Sequence, residues 1–341
     1  MTNNRFVSYI KNKFNNIKDN FSDERKKVVL ENKISHIFTT LIRGLIIFGL
    51  SFIVLFPLFQ QLSLAFREPG DLNNPLVIFI PDNWTWLNIK IASSMLDYQH
   101  AVINNFKVAS VVMIFQILVT SVTGYAFARL KFPGSGLLFI LVLATIMIPP
   151  QTLSLNRYLF FKDFGIPKIF SINLLGNRGS LYMMTALGMG INSGLFIYIF
   201  RQFFRNVPIE LEESAQVDGA SVIRTFWSVM LPNARPAMLT VGLFSFVWQW
   251  NDVYYTRLLS LSSEKFPLLP MRLANAADNI YQALFYEGAL NLVGEDVLKN
   301  PFYFSLVSNT AAFLMMLPVL IIFIFLQRYF VESIERTGIV G

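Results

Sequence analysis

Cysteine is absent from the 341 residues, so there is no disulfide framework and no thiol chemistry. Histidine is nearly absent. His36 and His100 are the only two, which leaves no histidine-based metal site and no Ser-His triad to argue for. Charge is scarce as well: Asp, Glu, Lys and Arg make up 14% of the chain, against about a quarter in soluble domains. The pattern G-x-x-x-x-G-K-[ST] does not occur, which excludes nucleotide binding through a P-loop. The net charge of +7 is modest and its basic residues are scattered among loops, which excludes a concentrated nucleic-acid patch. What is abundant is apolar. Hydrophobic residues account for 54% of the chain, with 34 Phe, the balance of a membrane protein.

The apolar residues fall into runs. A bilayer crossing needs about 20 of them in a helix, and runs at about 38–66, 106–128, 135–152, 179–203, 237–258 and 302–327 are candidates. The first is too long for the apolar core of a signal peptide and reads as a retained span. The segment before it, residues 1–36, is polar and carries Arg5, Lys11, Lys13, Lys18, Arg25, Lys26, Lys27 and Lys33. By the positive-inside rule it is cytoplasmic, and a solvated tail is favoured over an interfacial helix. The expected fold is an all-α membrane protein with about six transmembrane helices over 37–341 and both termini cytoplasmic. Turn-rich stretches at 67–100 and 153–178, and a long segment from about 259 to Asn300, then lie outside. Arg157, Lys162, Lys168 and Arg178 run against the charge bias in the second of these. Pro149-Pro150 should break the third span.

The stretch that organises the chain is polar and lies between the fourth and fifth runs, at 204–236. Its core reads VPIELEESAQVDGASVIRTFWSVMLPNARP from Val207 to Pro236. Pro208 suits the start of a helix, and Glu210, Glu212 and Glu213 fall near the positive end of its dipole. Gly219 after Asp218 predicts a left-handed stop. Ser221 can cap a second helix with Val222, Ile223, Phe226, Val229 and Met230 on one apolar face, which Leu231-Pro232 should end.

Glu213-Ser214-Ala215, Asp218-Gly219-Ala220, Phe226, Val229 and Leu231-Pro232 together resemble the EAA motif of ABC-importer permeases, with Ser214 where alanine is usual. In that family the motif is a cytoplasmic loop seated in a cleft of the ATPase subunit. The likeness extends to Asn104-Asn105, Tyr125-Ala126, Ala128-Arg129-Leu130, Met147-Ile148-Pro149, Trp250-Asn251 and the ending from Gln327-Arg328-Tyr329-Phe330, which are similar to the carbohydrate-uptake branch and its six-span maltose-type subunit. Glu332-Ser333-Ile334-Glu335 departs from the family's glycine-rich tail. The resemblance implies a type I importer permease fold in a bacterial cytoplasmic membrane. It implies a homologous second permease subunit, an ATPase dimer and an extracytoplasmic solute-binding protein as partners. ATP and Mg are then bound by the partner ATPase, and this chain needs no cofactor and has no catalytic residue.

Spans two, three and four contain no Asp or Glu. Ion-coupled carriers usually keep an intramembrane carboxylate, so a secondary transporter is the weaker alternative, beside an importer of a non-sugar solute and a membrane scaffold. Gln116, Thr120, Ser121, Thr123, Ser305, Ser308, Asn309 and Thr310 read as glue between helices before they read as substrate contacts. Trp248-Gln249-Trp250-Asn251-Asp252, toward the outer end of span five, mixes aromatic faces with amides. Trp250 and Asn251 are therefore candidates for a sugar pathway, with an interfacial aromatic belt as the equal alternative.

Overall fold

The computed structural model describes residues 24–69, 71, 80–166, 169–288 and 301–338. Residues 1–23 of the polar segment, 289–300 of the long outer segment and 339–341 of the tail lie outside the described residues. The chain divides into two compact units, 1–61 and 62–341.

Helix α1, Glu24–Ala65, supplies the described part of the first unit and runs on into the second. It begins well before the apolar run, so residues 24–36 are helical, with the described side chains among them exposed. Good helix formers (Glu, Lys, Arg and Leu) fill that stretch, and the apolar run behind them carries the helix onward. None of the residues in its most apolar window is buried. Leu45, Phe48 and Val54 project outward, as side chains do that have lipid for solvent.

The second unit is a helical bundle. Helix α2 (Leu87–Leu96) precedes α3 (Tyr98–Arg129), which meets the second expected span and extends it. Helix α4 (Ser135–Met147) stops at Ile148-Pro149-Pro150. A short 3-10 turn and α5 (Ser154–Lys162) follow, bent 105° from α4. The proline pair breaks the third run as its chemistry requires: a pyrrolidine offers no N–H and clashes with the preceding turn. The stretch 153–178, expected as a loop, holds α5 and an antiparallel hairpin of β1 (Phe164–Ile166) and β2 (Phe170–Ile172), with Gly165 opposite Ser171.

The fourth run is not one helix. It is α6 (Arg178–Ala186) and α7 (Ser193–Asn206), separated by a break in which Gly188 has φ 76° and Asn192 φ 53°. These left-handed positions suit glycine and asparagine and interrupt the hydrogen-bond ladder. The loop region contributes α8 (Ile209–Val217), α9 (Val222–Thr225), a π-turn (Phe226–Met230) and α10 (Leu231–Asn233). The fifth run is α11 (Arg235–Trp250) and a separate turn of helix, α12 (Tyr254–Leu258). The long segment holds α13 (Leu269–Ala274) and α14 (Ala276–Tyr286), and α15 (Pro301–Gly338) closes the chain. Among the described residues, three helices are long and apolar enough to cross a membrane, lying within Asn32–Ala65, Tyr98–Arg129 and Phe302–Arg328. The bent α4–α5 pair makes a fourth if taken as one span.

Helix α3 is the axis of the second unit. It packs along α7 on one side and α11 on the other. At Gly124 the α7 backbone comes so close that a Cβ would stand 2.6 Å from Phe200 Cβ and 3.0 Å from the Arg201 amide nitrogen. Small residues permit this kind of approach between helices where no hydrophobic effect drives them together. The glue reading fits Gln116. Its Nε2 donates to the Ile191 carbonyl (3.0 Å) and to Ser193 Oγ (2.9 Å), taking up backbone that the break before α7 leaves unpaired. Thr120, Ser121 and Thr123 instead bond carbonyls of their own helix.

Candidate functional site

The loop between α7 and α11 is rooted in the bundle. Phe226, Met230 and Leu231 are buried in one apolar cluster with Tyr125 of α3, Phe200 and Phe204 of α7 and Val241 of α11. Tyr125, Phe204 and Phe226 form a three-ring group with centroids 5.2–6.2 Å apart. Beneath the rings lies a polar lock. Tyr125 OH donates to Glu212 Oε1 at 2.7 Å, and Arg129 Nε stands 3.5 Å from Glu212 Oε2. Arg129 Nη2 also donates to the Val207 carbonyl. The two charged side chains are only 10% and 11% exposed. A carboxylate so buried persists because it is paired and hydrogen-bonded.

The sequence placed Glu212 merely near a helix dipole; the structure gives it two partners on α3. Other expectations about the loop hold in geometry. Gly219 has φ 82°, and Ser221 Oγ accepts from the Arg224 amide at 3.4 Å. Leu231-Pro232 does not end the second helix, however. The chain continues through the π-turn into α10, with Pro232 in that helix's first turn, where its missing N–H costs nothing. Nor do the five apolar positions share one face. Phe226 and Met230 are buried, while Val222 and Ile223 are exposed. The extra residue of a π-turn rotates the two halves out of phase.

The motif residues therefore sort into two sets. Phe226 and Leu231 are the root. Glu213, Ser214, Asp218, Gly219 and Pro232 are exposed, with Ala215 and Ala220 half-buried between them. Val217 and Ile223 add apolar surface beside them, 86% and 72% exposed. A fixed root under an exposed face of acidic, small and apolar residues is suited to docking.

At the other end of α11, Trp250 and Asn251 separate. Trp250 is buried against α15, and its Nε1 donates to the Met315 carbonyl at 3.0 Å. Asn251 is exposed, with Nδ2 donating to the Val247 carbonyl at 2.8 Å. Asp252 is buried and serves the next helix. Its two oxygens accept from the Tyr255 and Thr256 amides at 3.0 and 2.9 Å.

A feature the sequence reading missed lies where the breaks in the third and fourth runs meet. A cavity of about 450 Å³ opens between Pro150 and Arg157 on one side and Gly188, Gly190 and Asn192 on the other, with Tyr255 above it. Tyr254 OH donates to the Pro150 carbonyl at 2.8 Å, fixing α12 over the proline break. Glycine and asparagine inside an apolar run were the available signal. Paired helix breaks are where membrane transporters place their ligand sites.

A helical bundle of apolar spans with a rooted, exposed loop and a cavity at its helix breaks suits a membrane transport subunit, and residues 116–336 match the family described as "Binding-protein-dependent transport system inner membrane component". The chain belongs to that family. It is 28% identical over 232 residues to the diacetylchitobiose uptake system permease protein NgcG of Streptomyces coelicolor, covering 68% of this chain and 72% of that one. It is 25% identical over 298 residues to the arabinooligosaccharides transport system permease protein AraQ of Halalkalibacterium halodurans, covering 86% and 93%. Among solved structures it resembles a chain from a bacterial ABC transporter that imports the acidic polysaccharide alginate. The TM-score is 0.63 at 19% identity, over 87% of this chain and 98% of that one, a likeness of fold.

Proposed function

We propose that this chain is one membrane-spanning subunit of an ATP-driven importer for an oligosaccharide, working beside a second homologous permease, an ATPase dimer and an extracytoplasmic binding protein. The rooted loop carries this reading. Its exposed face of Glu213, Ser214, Asp218, Gly219 and Ile223 fits a cleft on the ATPase. The buried Tyr125–Glu212–Arg129 lock gives that face a stiff path into α3. Closure of the ATPase dimer then swings the loop and tilts the bundle between inward-facing and outward-facing states by rigid-body motion. ATP and Mg belong to the ATPase, and this chain supplies no cofactor. Six crossings, with α6–α7 as the broken fourth and α11–α12 as the fifth, put both termini and the loop in the cytoplasm of a bacterial cell.

Relatives named for diacetylchitobiose and arabinooligosaccharide uptake support a carbohydrate cargo. A relative named for osmoprotective compounds supports the competing reading, a non-sugar solute. The cavity at the two breaks is the proposed passage, with Trp250 holding the end of α11 in place and the exposed Asn251 beside it in the chain as a candidate contact. Two experiments test the reading. The ATPase should co-purify with the chain, and a cysteine at Gln216 should be labelled by an impermeant thiol reagent only after permeabilisation, while one at Ser263 is labelled on intact cells. The reverse labelling pattern would carry the loop out of the ATPase's reach and end the proposal. The ligand retained by the cognate binding protein decides between sugar and non-sugar cargo.

A further inference from the structure

Among the described residues, Arg157 is the only charged one that lines the cavity at the two helix breaks. Its surroundings leave it electrically unbalanced. It takes part in neither ion pair among the described residues, Asp97–His100 or Glu212–Arg129. Its Nη1 donates to a neutral group, Tyr255 OH, at 2.5 Å, and its guanidinium carbon lies 5.2 Å from the centroid of the same ring. Its Nε is buried without a hydrogen-bond partner. Asp252, three residues before Tyr255, is already occupied by the amides of Tyr255 and Thr256. The remaining lining is neutral, from Thr145, Asn156, Asn192 and Ser193 to apolar Ile146 and Phe160.

Arg157 is half-buried, and an ionisable group without a counter-charge at a break between spans points to a ligand that supplies the opposite charge. Tyr255 makes the arrangement specific. The phenol occupies Nη1 and steadies the guanidinium plane, which leaves Nη2 to meet an oxyanion. Asn156 and Asn192 also line the cavity, with amides suited to hydroxyls. The volume of 450 Å³ lies within the range of small-molecule sites and has room for one or two sugar rings.

We infer that this cavity takes a saccharide bearing an anionic group, a carboxylate or a phosphate, and that Arg157 is the side chain that selects it. The inference rests on the reading of the cavity as the passage for a carbohydrate and adds the sign of the cargo's charge. Neutral sugars of the same size lack the group that compensates Arg157 and are discriminated against at this point.

The test uses the assembled complex, with both permeases and the ATPase dimer in nanodiscs, titrated calorimetrically with digalacturonate, its dimethyl ester and glucose 6-phosphate. Digalacturonate should bind at least about tenfold tighter than its neutral ester, the scale of one charge-assisted hydrogen bond. Arg157→Gln should bring that ratio to within about twofold, and Arg157→Lys, which keeps the charge and loses the fork, should fall between. If Arg157→Gln fails to assemble, the Arg157→Lys ratio against wild type decides alone, and an undiminished ratio overturns the assignment. Tighter binding of digalacturonate than of glucose 6-phosphate identifies the anion as a carboxylate, and the opposite order as a phosphate. Equal binding of acid and ester by the wild type overturns the role of Arg157 and leaves the carbohydrate passage standing. No binding by any of the three overturns both.

Discussion

Two arginines at opposite ends of the bundle meet burial in opposite ways. Arg129, at the loop end of α3, is paired with the Glu212 carboxylate at 3.5 Å and donates to the Val207 carbonyl, although its Nε makes no hydrogen bond. Arg157, at the helix breaks, has a phenol for company, lines a cavity and takes part in no ion pair among the described residues. A balanced charge holds a joint together, whereas an unbalanced one advertises a missing partner. On the proposed reading, mechanics belongs to one end of the molecule and cargo to the other.

The comparison breaks most sharply at Glu212. Glu212→Ala leaves Arg129 buried without its carboxylate, and breaking such a pair costs roughly 3–5 kcal/mol. The expected result is a large fall in assembled complex, read by quantitative immunoblot of membranes. The double variant Glu212→Leu with Arg129→Met should recover most of it, because apolar replacements of a buried pair are often tolerated. Wild-type abundance in Glu212→Ala would show that the lock contributes little.

Trp250→Phe probes the cavity half from behind. It removes the donor to the Met315 carbonyl and leaves that acceptor buried, at a cost of about 1–3 kcal/mol. Thermal unfolding of the purified complex should begin at a lower temperature. A belt residue facing lipid would show no such shift.

Gly219→Val asks whether the loop's face matters once its root is intact. No heavy atom lies within 4 Å of the Cβ position, so the penalty is purely conformational, of order 1–2 kcal/mol at φ 82°. Insertion should be normal and ATP-dependent uptake reduced, while Gly219→Asn should be milder, since asparagine visits this conformation more readily. Normal uptake at normal abundance in the valine variant would remove the lever. The smallest effect is expected at Asn251. Asn251→Ala should lower uptake by about two- to tenfold, one hydrogen bond's worth of 0.5–1.5 kcal/mol. Uptake per assembled complex identical to wild type would take Asn251 out of the passage.

Much of this was legible along the chain because it is written in local chemistry. Pro149-Pro150 forces a break, Gly219 a left-handed turn, and Ser221 a cap, whatever surrounds them. The Tyr125–Glu212 bond joins residues 87 positions apart, and attraction between charges leaves no mark at that separation in one sequence. The same holds for Trp250. A tryptophan between apolar residues and amides reads equally as belt or sugar platform, and only the position of α15 reveals that it is packing. The broken fourth run lay between these extremes. Gly188, Gly190 and Asn192 were visible as weak helix formers, but the hydropathy of the whole run outweighed them.

Gly124 has a mechanical consequence. With a backbone approach too close for a side chain to intervene, α3 and α7 are held tightly together at this point, and on the proposed lever model they pivot together as one beam. A helix of 32 residues is about 48 Å long at 1.5 Å per residue. A rotation of about 5° at the loop end therefore carries the far end through about 4 Å. Replacing this glycine with leucine would wedge the beam apart and loosen its gearing, so that the ATPase could complete its stroke while the far gate barely moved.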